Sequence, residues 1–225
     1  MSRILAIDPG PERSAALWYD TAKEKPLGKY EIFRNEHLRI VIAAQRDSLE
    51  DGCQDMMAIE MIACYGMAVG KEVFQTCLWI GRFIEAFVGN NTSVRAGDFR
   101  NCVIREHRYG LVYRKDVKMH LCHSMRATDA NIRAALIDRF GPGKEKAVGT
   151  KRSPGPLYGI KKDLWSALAI AVTCADTGAC DLPQSPDGEV IEVTEAQARE
   201  LLGKDKEKSD AKRPLASQKK KQHPC

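Results

Sequence analysis

The chain has no long hydrophobic run: none of its apolar stretches approaches the roughly 20 residues that a membrane-spanning helix needs. The N-terminal residues are not expected to act as a secretory leader, because the apolar run Ile4–Ile7 stops at Asp8. Among the eight cysteines (Cys53, Cys64, Cys77, Cys102, Cys122, Cys174, Cys180 and Cys225) there is no C-x-x-C pair. His120, Cys122 and His123 lack zinc-site spacing and a second half. Most of these cysteines sit beside apolar residues and read as small buried hydrophobes rather than ligands, with no disulfide framework expected. The body of the chain also lacks a net charge. Residues 204–225 carry eight Lys/Arg and three Asp/Glu, which is the whole +5 of the protein. A polyanion partner therefore does not follow from overall charge. What remains is the composition of a water-soluble globular protein, 44% apolar and 29% charged over 225 residues, expected in the cytosol or nucleoid.

Against this background one stretch stands out. Residues 3–10, RILAIDPG, are an apolar run ending in a carboxylate and a Pro-Gly breaker. Such a run reads as a buried central strand. A charge at its end is costly unless paired, but where the strand leaves the sheet it can reach solvent and hold a metal ion. The theme recurs in MMAIE (56–60), which ends in Glu60, and in DLWSALAIAVTCA (163–175), an apolar helix opened by Asp163. Singly, Asp8 reads as a turn former, Glu60 as a strand-end surface residue and Asp163 as a helix cap. Together, three acids at element ends point to one site.

The remaining elements follow from pattern. Residues 14–20 and 29–35 read as strands joined by a turn over 21–28, making a meander with the first strand. A helix over 36–51, with Leu38, Val41, Ile42 and Leu49 near helical spacing, leads into the fourth strand and sets it parallel to the first. A glycine-bearing loop (61–70) precedes a helix over 71–89. Its apolar positions include Phe74, Leu78, Phe83 and Phe87; the helix is a candidate dimer interface, but the expected use of these residues is burial in the chain's own core. A fifth strand is expected over 92–100 and two short helices over 116–125 and 129–141, with Asp116 and Asp129 as N-caps. Residues 141–162 form a Gly/Pro-rich basic loop, and loops of this length are usually functional or disordered. The expected domains are 1–180 and a C-terminal extension, 181–225, basic and disordered from 204.

The order β-β-β-α-β-α-β-α-α-loop-α is the layout of the ribonuclease-H-like fold, an α/β architecture with a mixed five-stranded sheet flanked by helices. ILAIDPG, AIE and DLWSALAIA resemble the corresponding pieces of the RuvC-like Holliday-junction resolvases of that superfamily, over roughly residues 1–176. The resemblance implies a metal-dependent endonuclease acting as a homodimer on four-way DNA junctions. It uses two Mg²⁺ ions per site, with Mn²⁺ as a substitute, and neither a membrane nor a small-molecule substrate. Asp8, Glu60 and Asp163 match the family's acids. The family's second aspartate on the last helix, three residues on, is Ser166 here, and a neutral group holds a divalent cation less firmly. Two ions about 3.5–4 Å apart clamp an in-line displacement at phosphorus. Arg114, Lys115, Lys118, Lys161 and Lys162 are the expected phosphate contacts. Tyr65 matches the aromatic wedge that follows the glutamate strand.

Two other readings share the fold: a non-catalytic branched-DNA-binding protein, and a nuclease for flaps or RNA. An actin-like kinase also begins with a strand, an Asp and a Gly. It would leave Glu60 without a role, and neither a second Gly-rich phosphate loop nor an adenosine motif is present.

Overall fold

The computed structural model describes residues 2–47, 54–64, 66, 68–88 and 108–179. The wedge candidate Tyr65, the strand expected over 92–100 and the C-terminal extension lie outside the described residues.

The described strands are β1 (Ser2–Asp8), β2 (Arg13–Asp20), β3 (Lys25–Arg34), β4 (Gln54–Met61) and β5 (Arg108–Tyr113). They form one mixed sheet in the order β3-β2-β1-β4-β5. The first three are an antiparallel meander, and β4 and β5 continue from β1 in parallel. The helices are α1 (Asn35–Asp47), α2 (Lys71–Val88), α3 (Arg114–Cys122), α4 (Asp129–Phe140), α5 (Lys144–Ala147) and α6 (Leu164–Thr177).

Alternation along the strands feeds two cores. On one face Ile4, Ala6, Leu17, Tyr19, Ala58 and Val112 pack against α3, α4 and α6. On the other, Leu5, Ile7, Trp18, Met57 and Ile59 meet α1 and α2. Strands covered on both faces read as continuous apolar runs, which is why ILAI and MMAI were visible as central strands. The parallel register of β1 on β4 is pinned at its far end from Asp8. There Arg3 Nε and Nη2 donate to Asp55 Oδ1 and Oδ2 at 2.9 and 2.6 Å, while the guanidinium covers the Trp18 ring.

Several expectations need correction. The turn after β2 is short, and β3 begins at Lys25, well inside the expected 21–28 turn. Asp20 closes that turn by accepting from the Ala22 and Lys23 amides at 3.0 and 2.9 Å. Pro26 is tolerated in β3 because β3 is an edge strand. The residues 108–113 form β5, whereas the sequence had marked no strand there. β5 runs directly into α3 at Arg114, so Asp116 lies inside the first turn and is not its cap. Asp129 is not a cap either: Thr128 takes that position and forms a reciprocal capping box with Asn131. On α2 the buried stripe is Thr76, Ile80, Phe83 and Phe87. Phe74 and Leu78 fall on another side of the helix and are 64% and 56% exposed.

The 141–162 loop is better built than its composition implied. It contains α5, an antiparallel bridge between Gly149 and Pro154, and the buried side chains Ala147, Leu157 and Ile160. Gly149 and Gly155 are required by close approach, since a Cβ at either would lie 2.3 Å from a backbone oxygen. At the C-terminal end of α6, Asp176 accepts from Arg139 Nη2 at 2.8 Å and contacts His120 Nε2 at 2.7 Å, tying α3 and α4 to α6. His120 thus has a structural partner. Cys77 and Cys122 are free thiols, whereas Cys174, buried in α6, is disulfide-bonded and departs from the expectation of a free thiol. Among the described residues no helix is long and apolar enough to cross a membrane.

Candidate active site

The parallel ladder pairs Ile7 with Ile59. One step further, at the carboxyl ends of neighbouring strands, stand Asp8 and Glu60. Strand parity sends both side chains to the α6 face of the sheet, the face of Ala6 and Ala58. The carboxyl ends of parallel strands are where α/β sheets gather their ligands.

The turn that follows Asp8 is locked from below. Asn35, fully buried at the start of α1, donates from Nδ2 to the Gly10 carbonyl at 2.9 Å. Its Oδ1 accepts from the Ser14 hydroxyl at 2.7 Å, and that hydroxyl accepts from the Gly10 amide at 3.2 Å. Gly10 has no room for a side chain, since a Cβ would stand 2.4 Å from the Arg13 carbonyl oxygen. The lock fixes the direction in which Asp8 leaves β1. Nothing in the sequence marked Ser14 or Asn35, although a Ser and an Asn flanking an Asp-Pro-Gly turn are the residue types that satisfy buried turn backbone.

Opposite the acid pair lies the first turn of α6. Ser166 is half-buried on a helix whose other residues from Leu164 to Cys174 are buried. Its hydroxyl bonds Asp8 and also accepts from Arg114 Nη1 at 3.4 Å. Asp163 precedes the helix without making a side-chain cap bond, and its negative charge reaches Asp8. The capping role that its position allows is therefore not the one it performs. Arg114 completes the cleft: Nη1 lies 3.7 Å from Glu60 Oε2, and Nη2 pairs with Asp129 at the start of α4. A cavity of about 270 Å³ opens between Asp8, Pro9, Glu60, Met61, Ile62, Ala63 and Arg114. A second cavity, of about 380 Å³, lies on the opposite face among Leu5, Trp18, Phe33, Leu38 and Ile42, with Tyr30, Glu31 and Gln45 also in its lining.

The electrostatics are those of crowded acids. Burial, then the charge of Glu60, pushes the Asp8 carboxyl up to about 7, with Asp163 adding to the rise and Arg114 and Ser166 opposing it. Burial likewise raises Glu60, while Arg114 and the hydrogen bond with Asp8 pull it down. Two half-buried carboxyls, one of which raises the pKa of the other, favour either a shared proton or a cation between them. Their hard oxygens suit Mg²⁺, which takes one or two carboxylates and completes its shell with water and phosphate oxygens. The donor set therefore fits a divalent cation held by Asp8 and Glu60. Among the described residues no three His, Cys, Asp or Glu side chains stand together so as to hold a metal ion, so Asp163 does not join Asp8 and Glu60 in the three-acid set expected from sequence.

The structure thus joins Asp8, Glu60, Arg114 and Ser166, with Asp163 at the rim. Lys161 and Lys162 are exposed just ahead of Asp163, and Lys162 adopts φ 48°. Lys115 is exposed, 5.7 Å from the Tyr113 ring, and Lys118 is half-buried on α3. Among the described residues no hydrogen bond or ion pair joins any of these four lysines to the acids. Asp129, read from sequence as a cap, instead orients the site's arginine.

No protein-family model matches the chain, and no curated protein matches it. Among solved structures it is similar to the RuvC of T. thermophilus in complex with a Holliday junction substrate, at 15% identity and TM-score 0.50, covering 79% of this chain and 94% of that one. The chain has the RuvC-type, ribonuclease-H-like fold. A second structure of Thermus thermophilus RuvC aligns at 16% identity and TM-score 0.48, over 79% of this chain and 97% of the other.

Proposed function

We propose that the protein is a metal-dependent, structure-selective DNA endonuclease that resolves four-way junctions. The observation that carries this reading is the Asp8–Glu60 pair, raised in pKa and facing Ser166, Arg114 and Asp163 at the strand ends. The solved structure of similar fold that contains a Holliday junction substrate supports the choice of substrate.

In this reading Asp8 and Glu60 hold Mg²⁺, or Mn²⁺ in its place, and the bound ion supplies an activated water and charge neutralisation at phosphorus. The resemblance implies two ions, the second of which would draw on Asp163 and the place of Ser166. The chain's own groups orient the phosphate. Arg114 presents N–H donors to it, and Ser166 keeps Asp8 in place. Lys115, Lys118, Lys161 and Lys162 hold flanking phosphates without reading sequence, and Tyr65 stacks on a base at the open junction centre. The product is a nick with a 5′-phosphate and a 3′-hydroxyl.

The decisive experiment is cleavage of a labelled synthetic four-way junction with Mg²⁺, Mn²⁺ or EDTA, beside linear duplex, flap and RNA-hybrid controls. Paired symmetric nicks that require metal are expected. Preferential cutting of a flap or hybrid would move the protein to the related-nuclease reading. Tight junction binding without nicks would favour the non-catalytic reading, which Ser166 in place of an acid makes specific.

Two symmetric nicks call for a two-fold assembly. We assign the homodimer contact to the exposed Phe74 and Leu78 of α2. Leu78→Glu should shift the protein from dimer to monomer in sedimentation without lowering its Tm. An unchanged sedimentation coefficient would place the contact elsewhere.

A further inference from the structure

We infer that Arg114 is a built-in cation that takes the place of one of the two metal ions, so that each site binds a single divalent ion. The inference rests on the nuclease reading and specifies how its site is charged.

Three features carry it. The first is position. Arg114 stands between Glu60 Oε2 at 3.7 Å and Ser166 Oγ at 3.4 Å, the residue where the family's pattern has an aspartate. The position where the family's pattern has an anion is therefore neutral here and lies against a cation. The second is charge. Asp8, Glu60 and Asp163 contribute −3 to the cleft and Arg114 contributes +1, so the guanidinium offsets part of the charge that would otherwise call for a second ion. Asp129, 82% exposed, pairs with the second nitrogen of Arg114, and its charge also reaches Glu60. The third is anchoring. Arg114 begins α3 directly from β5, the parallel neighbour of the Glu60 strand, and its second nitrogen is held by Asp129 of α4. A guanidinium held in this way offers a planar fork matched to phosphate oxygens.

In the hydrolysis, the water oxygen bonds to phosphorus as the P–O3′ bond breaks. One water proton is lost to solvent and the departing 3′ oxygen takes one from solvent, giving the 5′-phosphate and 3′-hydroxyl. Arg114 keeps all its protons throughout. Its N–H groups stabilise charge on the phosphate oxygens, a role for which an arginine is worth about 10³–10⁵ in rate. Asp129 is its positioning residue.

The test counts ions as well as turnover. Full-length protein is titrated with Mn²⁺, read by calorimetry and by the loss of free-Mn²⁺ paramagnetic signal, with and without a non-cleavable junction. One Mn²⁺ per chain is expected for the wild type. Arg114→Ala should lower junction cleavage by about 10³-fold. Arg114→Lys should recover part of that loss, because it restores charge without the fork. Arg114→Ala with Ser166→Asp should bind two Mn²⁺ per chain and regain cleavage. Two Mn²⁺ per wild-type chain, or none, would overturn the proposal, as would wild-type cleavage by Arg114→Ala. If no nucleic acid is cut by any form, the nuclease reading fails, while the ion count of the wild type and the double variant still decides the charge substitution.

Discussion

Asp8→Asn should make the protein more stable and abolish its cleavage. Both effects come from the same carboxyl. Its pKa rises from an ordinary 3.8 to about 7, caused first by burial and then by the neighbouring charge of Glu60. The folded protein therefore binds this proton more tightly than the unfolded chain. The resulting stabilisation is complete below 3.8 and is lost as pH rises through about 7. A shift of that size corresponds to at most about 4 kcal/mol, less whatever water and side-chain relaxation return. Asparagine keeps the shape and hydrogen-bonding capacity of the group without ionising.

Thermal unfolding of metal-free protein from pH 4 to pH 8.5 checks this. The Asp8→Asn variant should gain on the wild type as pH rises and lead by several degrees above pH 7, given about 2–4 °C per kcal/mol for a domain of this size. Millimolar Mg²⁺ at pH 8 should raise the wild-type Tm and leave the variant unmoved, because ligand stabilisation requires the site. Junction binding should persist in the variant while nicking disappears. A variant that cuts, or whose Tm tracks the wild type across this range, would remove Asp8 from the centre of the acid cluster. The prediction also separates a metal site from an ordinary structural acid pair, which a cation would not stabilise.

The legible part of this protein was its skeleton. Apolar runs ending in an acid are unusual enough that Asp8 and Glu60 could be placed at strand ends, and the run of apolar residues after Asp163 could only be a buried helix. Strand order then followed from connection rules, because a helix between the third and fourth strands makes the fourth parallel to the first. The networks between elements were not legible. Arg114 was legible in YRKDVK as a phosphate contact alongside two lysines, but not as the partner of a serine 52 residues away. Asp129 looked like a cap because it stands at a helix start, where Thr128 performs that role one residue earlier. Local pattern reports which face of an element is apolar. It carries no signal for which polar side chains meet when two faces close. β5 was missed for a related reason: its six residues, RYGLVY, include a glycine and have no turn signal at their end, since the strand becomes α3 without a loop.

The second large effect is expected at a residue that touches neither metal nor DNA in this reading. Asn35 is fully buried and bonds both the Gly10 carbonyl and the Ser14 hydroxyl. Asn35→Ala would leave that carbonyl and that hydroxyl proton without partners, at about 1–3 kcal/mol each. No shift to neighbouring water is open to them, because Ser14 is itself buried. The Tm should therefore fall by on the order of 10 °C. The loss should also reach the active site, since the same bonds set the turn through which Asp8 leaves β1. Mn²⁺ affinity should fall in Asn35→Ala even at temperatures where circular dichroism shows a fully folded protein. Gly10→Ala provides an independent route to the same turn, because its new Cβ meets the Arg13 carbonyl oxygen rather than a movable side chain. If both variants bind Mn²⁺ as tightly as the wild type, the turn is only a stabilising element. The direction of Asp8 would then be set by Glu60, Ser166 and Arg114 alone.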